Sequence, residues 1–162
     1  MEFREDLEYY WVDSFGHNIN FKPACVLLND VIEKFESENS QDIILYFSHS
    51  GAILKLLAFL GIDKPKEDLK HDSNIRKRLW TSSKIDSFAS NIAFVLLKPC
   101  NKIGLLINES LTPICDGEEK LWCDFDEFKQ KFTKCDFEQI CDISNDNSDN
   151  ENDENVLEDD RY

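Results

Sequence analysis

Three rhythms of apolar and polar positions run along the chain. In residues 3–14 (FREDLEYYWVDS), Leu7, Tyr10 and Trp11 recur at three- and four-residue spacing, the repeat of one helical face. Phe15-Gly16 marks its end, because glycine favours the position just past a helix. A second helix is expected over Lys22–Ser37, with Asn20 as its cap and Pro23 in its first turn. Val26, Leu27, Val31, Ile32 and Phe35 form its apolar stripe. The rhythm then changes. Asp42–Phe47 (DIILYF) is a continuous apolar run, which predicts a strand buried on both faces. Ser48-His49-Ser50-Gly51 follows, then AILKLLAFLG, helical by composition and stopped by Gly61.

Strand, tight turn and apolar helix in succession are the grammar of an α/β sheet. Further on, Asn91–Lys98 and Lys102–Asn108 predict two strands, and the short link Pro99-Cys100-Asn101 makes them an antiparallel hairpin. DFDEFKQKFTK (124–134) predicts a helix capped by Asp124, with Phe125, Phe128 and Phe132 as its core face. The tail from residue 142 has almost no apolar content and is expected to be disordered. The expected organisation is therefore one folded unit over 1–141 and an acidic tail over 142–162.

Charge narrows the function classes. The 162 residues carry a formal net charge of −15, of which −8 lies in residues 142–162. Nucleic-acid binding, which needs Lys and Arg to neutralise phosphates, is disfavoured. An anionic ligand would need a local basic pocket to override the global field. Residues 63–84 are the basic part of this chain, and Arg76-Lys77-Arg78 could draw in such a ligand or simply form a charged surface. No stretch approaches the roughly 20 apolar residues of a membrane span. Residues 1–20 contain Glu2, Asp6, Glu8 and Asp13 and no apolar segment of a signal peptide.

The six cysteines pull the other way. Cys25, Cys100, Cys115, Cys123, Cys135 and Cys141 contain no C-x-x-C pair, and with only three His a zinc site is not indicated. Disulfides are the expected state, and they imply a secretory route. Fifteen connectivities are possible for six cysteines. Short-range pairing would join Cys115 to Cys123 and Cys135 to Cys141. The expectation that reconciles disulfides with the missing signal is that an N-terminal part is absent from the sequence.

His49 is the most informative residue. It stands where a strand hands over to a helix, the place where α/β sheets gather their sites and where helix N–H groups favour a bound phosphate. A histidine that merely closes the turn is the plain alternative.

The text around it, YFSHSGAILKLLAFLGI, resembles the second signature of the histidine acid phosphatases, where a strand ends in His-Asp or His-Ala-Glu before a Leu-rich helix. YYWVDSFGHNINFKPAC resembles the family's preceding segment. RKRLWTSSKIDSFASNIAFVLLKPC and LLINESLTPIC resemble the blocks that follow. The four segments keep the family's order over residues 5–141, and the match is to its multiple inositol polyphosphate phosphatase type.

The resemblance implies part of a three-layer, phosphoglycerate mutase-like fold, a mixed sheet with flanking helices. It implies a small phosphorylated substrate, no metal or other cofactor, and a secretory setting. In the family chemistry a histidine of an R-H-G-x-R-x-P motif attacks phosphorus. The second-signature histidine, here His49, contacts the phosphate, and the acid beside it protonates the leaving alcohol. Ser50 and the basic trio Arg76, Lys77 and Arg78 are the accompanying substrate-binding candidates. Two departures matter. None of the four Arg (Arg4, Arg76, Arg78, Arg161) precedes a His, so no nucleophile motif is present. Ser50 and Gly51 occupy the positions of the acid, for which Asp63 or Glu109 are conceivable replacements.

Three readings follow: a partial phosphatase chain, a non-catalytic relative that binds a phosphorylated ligand or a protein, or a fragment without surviving function. His17 is expected to be structural and His71 solvated. Asn108-Glu109-Ser110 is a glycosylation sequon.

Overall fold

A computed structural model describes residues 2–38, 41–70, 80–115 and 120–133. The helices are α1 (Glu2–Asp13), α2 (Asn18–Phe21), α3 (Cys25–Glu36), α4 (Ser50–Leu60), α5 (Ser82–Ile85) and α6 (Phe125–Phe132). The strands are β1 (Ile92–Leu97), β2 (Lys102–Ile107), β3 (Ser110–Thr112) and β4 (Trp122–Asp124). The predicted hairpin forms in antiparallel register, Ile92 opposite Ile107 and Leu97 opposite Lys102. β2 also pairs antiparallel with β3 and β4.

The turn between β1 and β2 is a short 3₁₀ segment, Lys98–Cys100, closed by Asn101 in the left-handed conformation. Asn is among the few non-glycine residues that tolerate it. Asp124 caps α6 by accepting from the Asp126 N–H at 3.0 Å. The second predicted helix starts later than expected. Its first turn is 3₁₀, with Pro23 inside it, and Asn20 lies within α2 instead of capping. The Asn20 side chain donates to the Trp11 carbonyl at 2.7 Å and joins α2 to α1.

Two apolar clusters organise the chain, and α4 contributes to both. Leu56 and Leu60 face Leu28 and Ile32 of α3, Ile103 and Leu105 of β2, and Phe125, Phe128 and Phe132 of α6. Leu54 and Leu57 face Tyr10 of α1, Leu69, Trp80 and Ile85. A helix apolar on all sides must be buried on all sides, and Gly61 at φ 76° ends it. Polar anchors fix α1 over the second cluster. Tyr10 Oη donates to Asp68 at 2.7 Å, and Trp11 Nε1 donates to the Leu69 carbonyl at 3.0 Å.

The expected strand over Asp42–Phe47 is corrected here. The segment is extended but joins no ladder among the described residues. Ile43 (75% exposed) and Phe47 (91%) lie on one face and Tyr46 (48%) on the other, so neither face is fully buried. The reason is elementary: strand hydrogen bonds run between chains, and no described segment lies alongside. All described pairings are accordingly antiparallel, not mixed. Tyr46 tethers the segment by donating its hydroxyl to Asp30 of α3.

Cys115 and Cys123 form a disulfide with their Cα atoms 5.9 Å apart. Cys25 is also disulfide-bonded. Cys100 is a free, exposed thiol, contrary to its place among the disulfide candidates, because the hairpin turn points it outward. Cys135, Cys141 and the acidic tail lie outside the described residues.

Candidate functional site

The extended segment delivers its chain to His49, whose backbone (φ −124°, ψ 170°) makes it the N-cap of α4. The His49 carbonyl accepts from Ala52 N–H at 3.0 Å and Ile53 N–H at 3.4 Å, the first turn of the helix. Its imidazole makes no capping bond and stays exposed. It borders an open pocket of about 460 Å³. Ser48, Ser50 and Ile53 line the same side, while Glu5 and Tyr9 of α1 line a second. The rest of the lining comes from the stretch Ser82 to Ser90, through Ser82, Ser83 and the run from Asp86 to Ser90. The start of a helix leaves backbone N–H groups without intrahelical acceptors and carries partial positive charge, both suited to an anion.

The Ser82–Ser90 stretch is pinned at both ends. Asp6 is fully buried, and its Oδ1 accepts from Ser82 N–H at 2.8 Å and Ser82 Oγ at 2.6 Å. Ser90 Oγ donates to Asn108 Oδ1 at 2.8 Å, and Asn91 N–H donates to the same atom at 3.0 Å. Asn108 therefore has a structural task in the β2–β3 turn besides heading the sequon. Between the pins, Asp86 accepts a hydrogen bond from Ser50, which lines the same pocket. Burial holds the Asp86 carboxyl above the usual carboxylate range, and the Ser50 bond opposes that rise.

Gly51 is buried, and its missing side chain has a local meaning. A Cβ there would lie 3.2 Å from Asp13 Oδ1 and 3.2 Å from His49 Cε1. Asp13 thus occupies the space that a longer residue at position 51 would claim. Lys55 neutralises it at 3.1 Å.

Of the residues singled out in the sequence, the structure brings His49 and Ser50 together. Arg76, Lys77, Arg78 and His71 lie outside the described residues. Asp63 and Glu109 do not line the pocket; both sit in turns with left-handed backbone. His17 lies against Trp11, with ring centroids 5.3 Å apart. Sequence reasoning missed Asp86, Glu5 and Tyr9. The only signal was that the TSSKIDSFASN block resembled a family segment, which marked the block without marking its acid. Among the described residues no group of three His, Cys, Asp or Glu is placed to hold a metal ion. No helix among them is long and apolar enough to cross a membrane.

A histidine thus stands at the start of a largely buried helix and shares a pocket with a loop reached from a remote part of the chain. The chain belongs to the histidine phosphatase superfamily (branch 2), whose sequence pattern matches residues 2–120. It is similar to multiple inositol polyphosphate phosphatase 1 of Homo sapiens, 28% identical over 171 residues, covering 91% of this chain and 35% of that protein. The protein of the same name from Gallus gallus is 27% identical over 164 residues (88% of this chain, 37% of that one). That from Drosophila melanogaster is 35% identical over 96 residues (58% and 21%). The chain thus spans little more than a third of the length of the first two relatives.

Proposed function

We propose that this chain forms the phosphate-contacting part of an inositol polyphosphate phosphatase site, with His49 touching the phosphoryl oxygens. The observation that carries the reading is the position of His49: a ring left free by its own helix cap, open to the pocket, at the N-terminus of α4. The names of the relatives supply the substrate class. Family chemistry would place the phosphoryl group on a histidine that this sequence lacks, so turnover needs a nucleophile from outside the chain. The pocket's described acids, Glu5 and Asp86, disfavour an anion at neutral pH. Positive charge must therefore come from Arg76-Lys77-Arg78 or from the part that brings the nucleophile, beside the donors at the start of α4. The disulfides support the secretory pathway as the setting, in which Asn108 becomes a candidate for glycosylation.

The test is calorimetric titration of the chain with inositol hexakisphosphate at pH 5.5. Replacing His49 with Ala should weaken binding by about tenfold or more, the loss of one charge-assisted contact. Unchanged affinity in that variant overturns the reading.

One observation favours a second reading, a non-catalytic relative that binds phosphorylated ligands. Ser50 and Gly51 stand where the family pattern has its acid. Hydrolysis of inositol hexakisphosphate by a protein that joins this chain to a nucleophile, lost on replacing His49, would exclude it.

A further inference from the structure

We propose that Asp86 is the acid of this site: its carboxyl meets the ester oxygen of the bound phosphomonoester in protonated form. The inference rests on the reading of the His49 pocket as a phosphate site and names the group that reading leaves vacant. Serine and glycine at positions 50 and 51 cannot supply a proton at mildly acidic or neutral pH.

Three observations converge on Asp86. It lines the same pocket as His49. It is held there, because Ser50, the residue next to His49, donates to it. The segment that carries it is fixed at its start by the buried Asp6–Ser82 pair and at its end by the Ser90–Asn108 bond. A proton donor must be within reach of its target and stiffly placed, and this one is braced on both sides.

The other acids nearby fit less well. Asp13 is paired with Lys55 at 3.1 Å and does not line the pocket. Glu5 lines it but is exposed at the surface of α1, whereas Asp86 is half-buried. Lining the pocket with Asp86 are Glu5 and Tyr9 of α1 and His49 at the start of α4; Lys84, on the adjoining helix, is exposed. Partial burial lifts the Asp86 carboxyl above its ordinary range.

In the reaction, the bond between phosphorus and the bridging oxygen breaks. The phosphoryl group passes to an imidazole supplied from outside this chain. The oxygen leaves with the Asp86 proton as the alcohol, and Asp86 remains as carboxylate.

The experiment is calorimetry of the chain with phenyl phosphate at pH 5.0 to 7.5, in buffers of different ionisation enthalpy, which reads protons taken up on binding. The native chain, Asp86→Asn, Asp86→Glu and His49→Ala are compared. The native chain should take up about one proton more than Asp86→Asn at the pH where Asp86 is ionised in the free protein. Its affinity should then fall about tenfold more per pH unit across that window than the affinity of Asp86→Asn does. Asp86→Glu should restore the uptake, which a merely structural effect of the asparagine would not allow. Equal uptake in the native chain and Asp86→Asn, with binding still dependent on His49, overturns the assignment of Asp86 and leaves the site standing. No binding by the folded native chain, or equal binding by His49→Ala, overturns the site and this inference together.

Discussion

Asp6 and Ser82 are 76 residues apart in sequence, yet one carboxylate oxygen of Asp6 accepts from both the N–H and the hydroxyl of Ser82. The aspartate is fully buried and the serine nearly so. Through this contact α1 positions the stretch that shares the pocket with His49. Replacing Asp6 with Ala leaves two buried donors without their acceptor, at a cost of about 2–3 kcal/mol. Urea denaturation should show the midpoint lowered with an unchanged slope. A shift below about 0.5 kcal/mol would mean that water reaches Ser82.

The Asp86 carboxyl lies above its ordinary range in the folded chain. Its contribution to stability is therefore fully present below the unfolded value and is lost as pH rises through the folded one. Asp86→Asn should match the native chain in acid and become the more stable of the two at neutral pH. Thermal unfolding at pH 3.5 and pH 7 checks the crossing. A variant less stable at neutral pH would show that the Ser50 bond outweighs burial.

The Cys115–Cys123 disulfide closes a loop with a sequence separation of 8. Chain entropy for a loop of that size gives about 2–3 kcal/mol. Cys123 is buried within the cluster that holds Phe125, Phe128 and Phe132. A Cys115→Ser, Cys123→Ser variant should lose that amount in denaturant titrations. Cys100→Ser, at an exposed free thiol, should stay within about 0.5 kcal/mol of the native chain.

Ile43, Leu45 and Phe47 expose apolar side chains on a segment whose backbone joins no ladder. Such an edge invites pairing with other chains. Ile43→Lys combined with Phe47→Ser should reduce self-association in light scattering at concentrations on the order of 100 μM, without lowering the unfolding temperature. An unfolding temperature that drops with these changes would mean that the segment packs more than its exposure indicates.

The local elements were legible because local rules govern them. The β1–β2 hairpin, the Asp124 cap and the Phe125–Phe128–Phe132 face each follow from residues within a few positions of one another. The strand over Asp42–Phe47 failed for the opposite reason. Its apolar run was real, but a strand needs a neighbour, and a sequence does not say which neighbour is present. The pocket at the start of α4 was legible at His49, where the apolar run, turn and helix signals coincide. Asp86 was not, because its meaning comes from contacts made at long range: Asp6 and Ser50 bring it to the pocket, and no spacing rule connects positions 6, 50 and 86.

Helix α4 is gripped from Leu54 onward by two separate cores, while residues 50–52 belong to neither. Its mouth is thereby released from the duty of holding the molecule together. Ser50 in particular can change identity and leave the scaffold upright. Substitutions at position 50 can reshape the pocket, and the two cores beneath it would register little of the change.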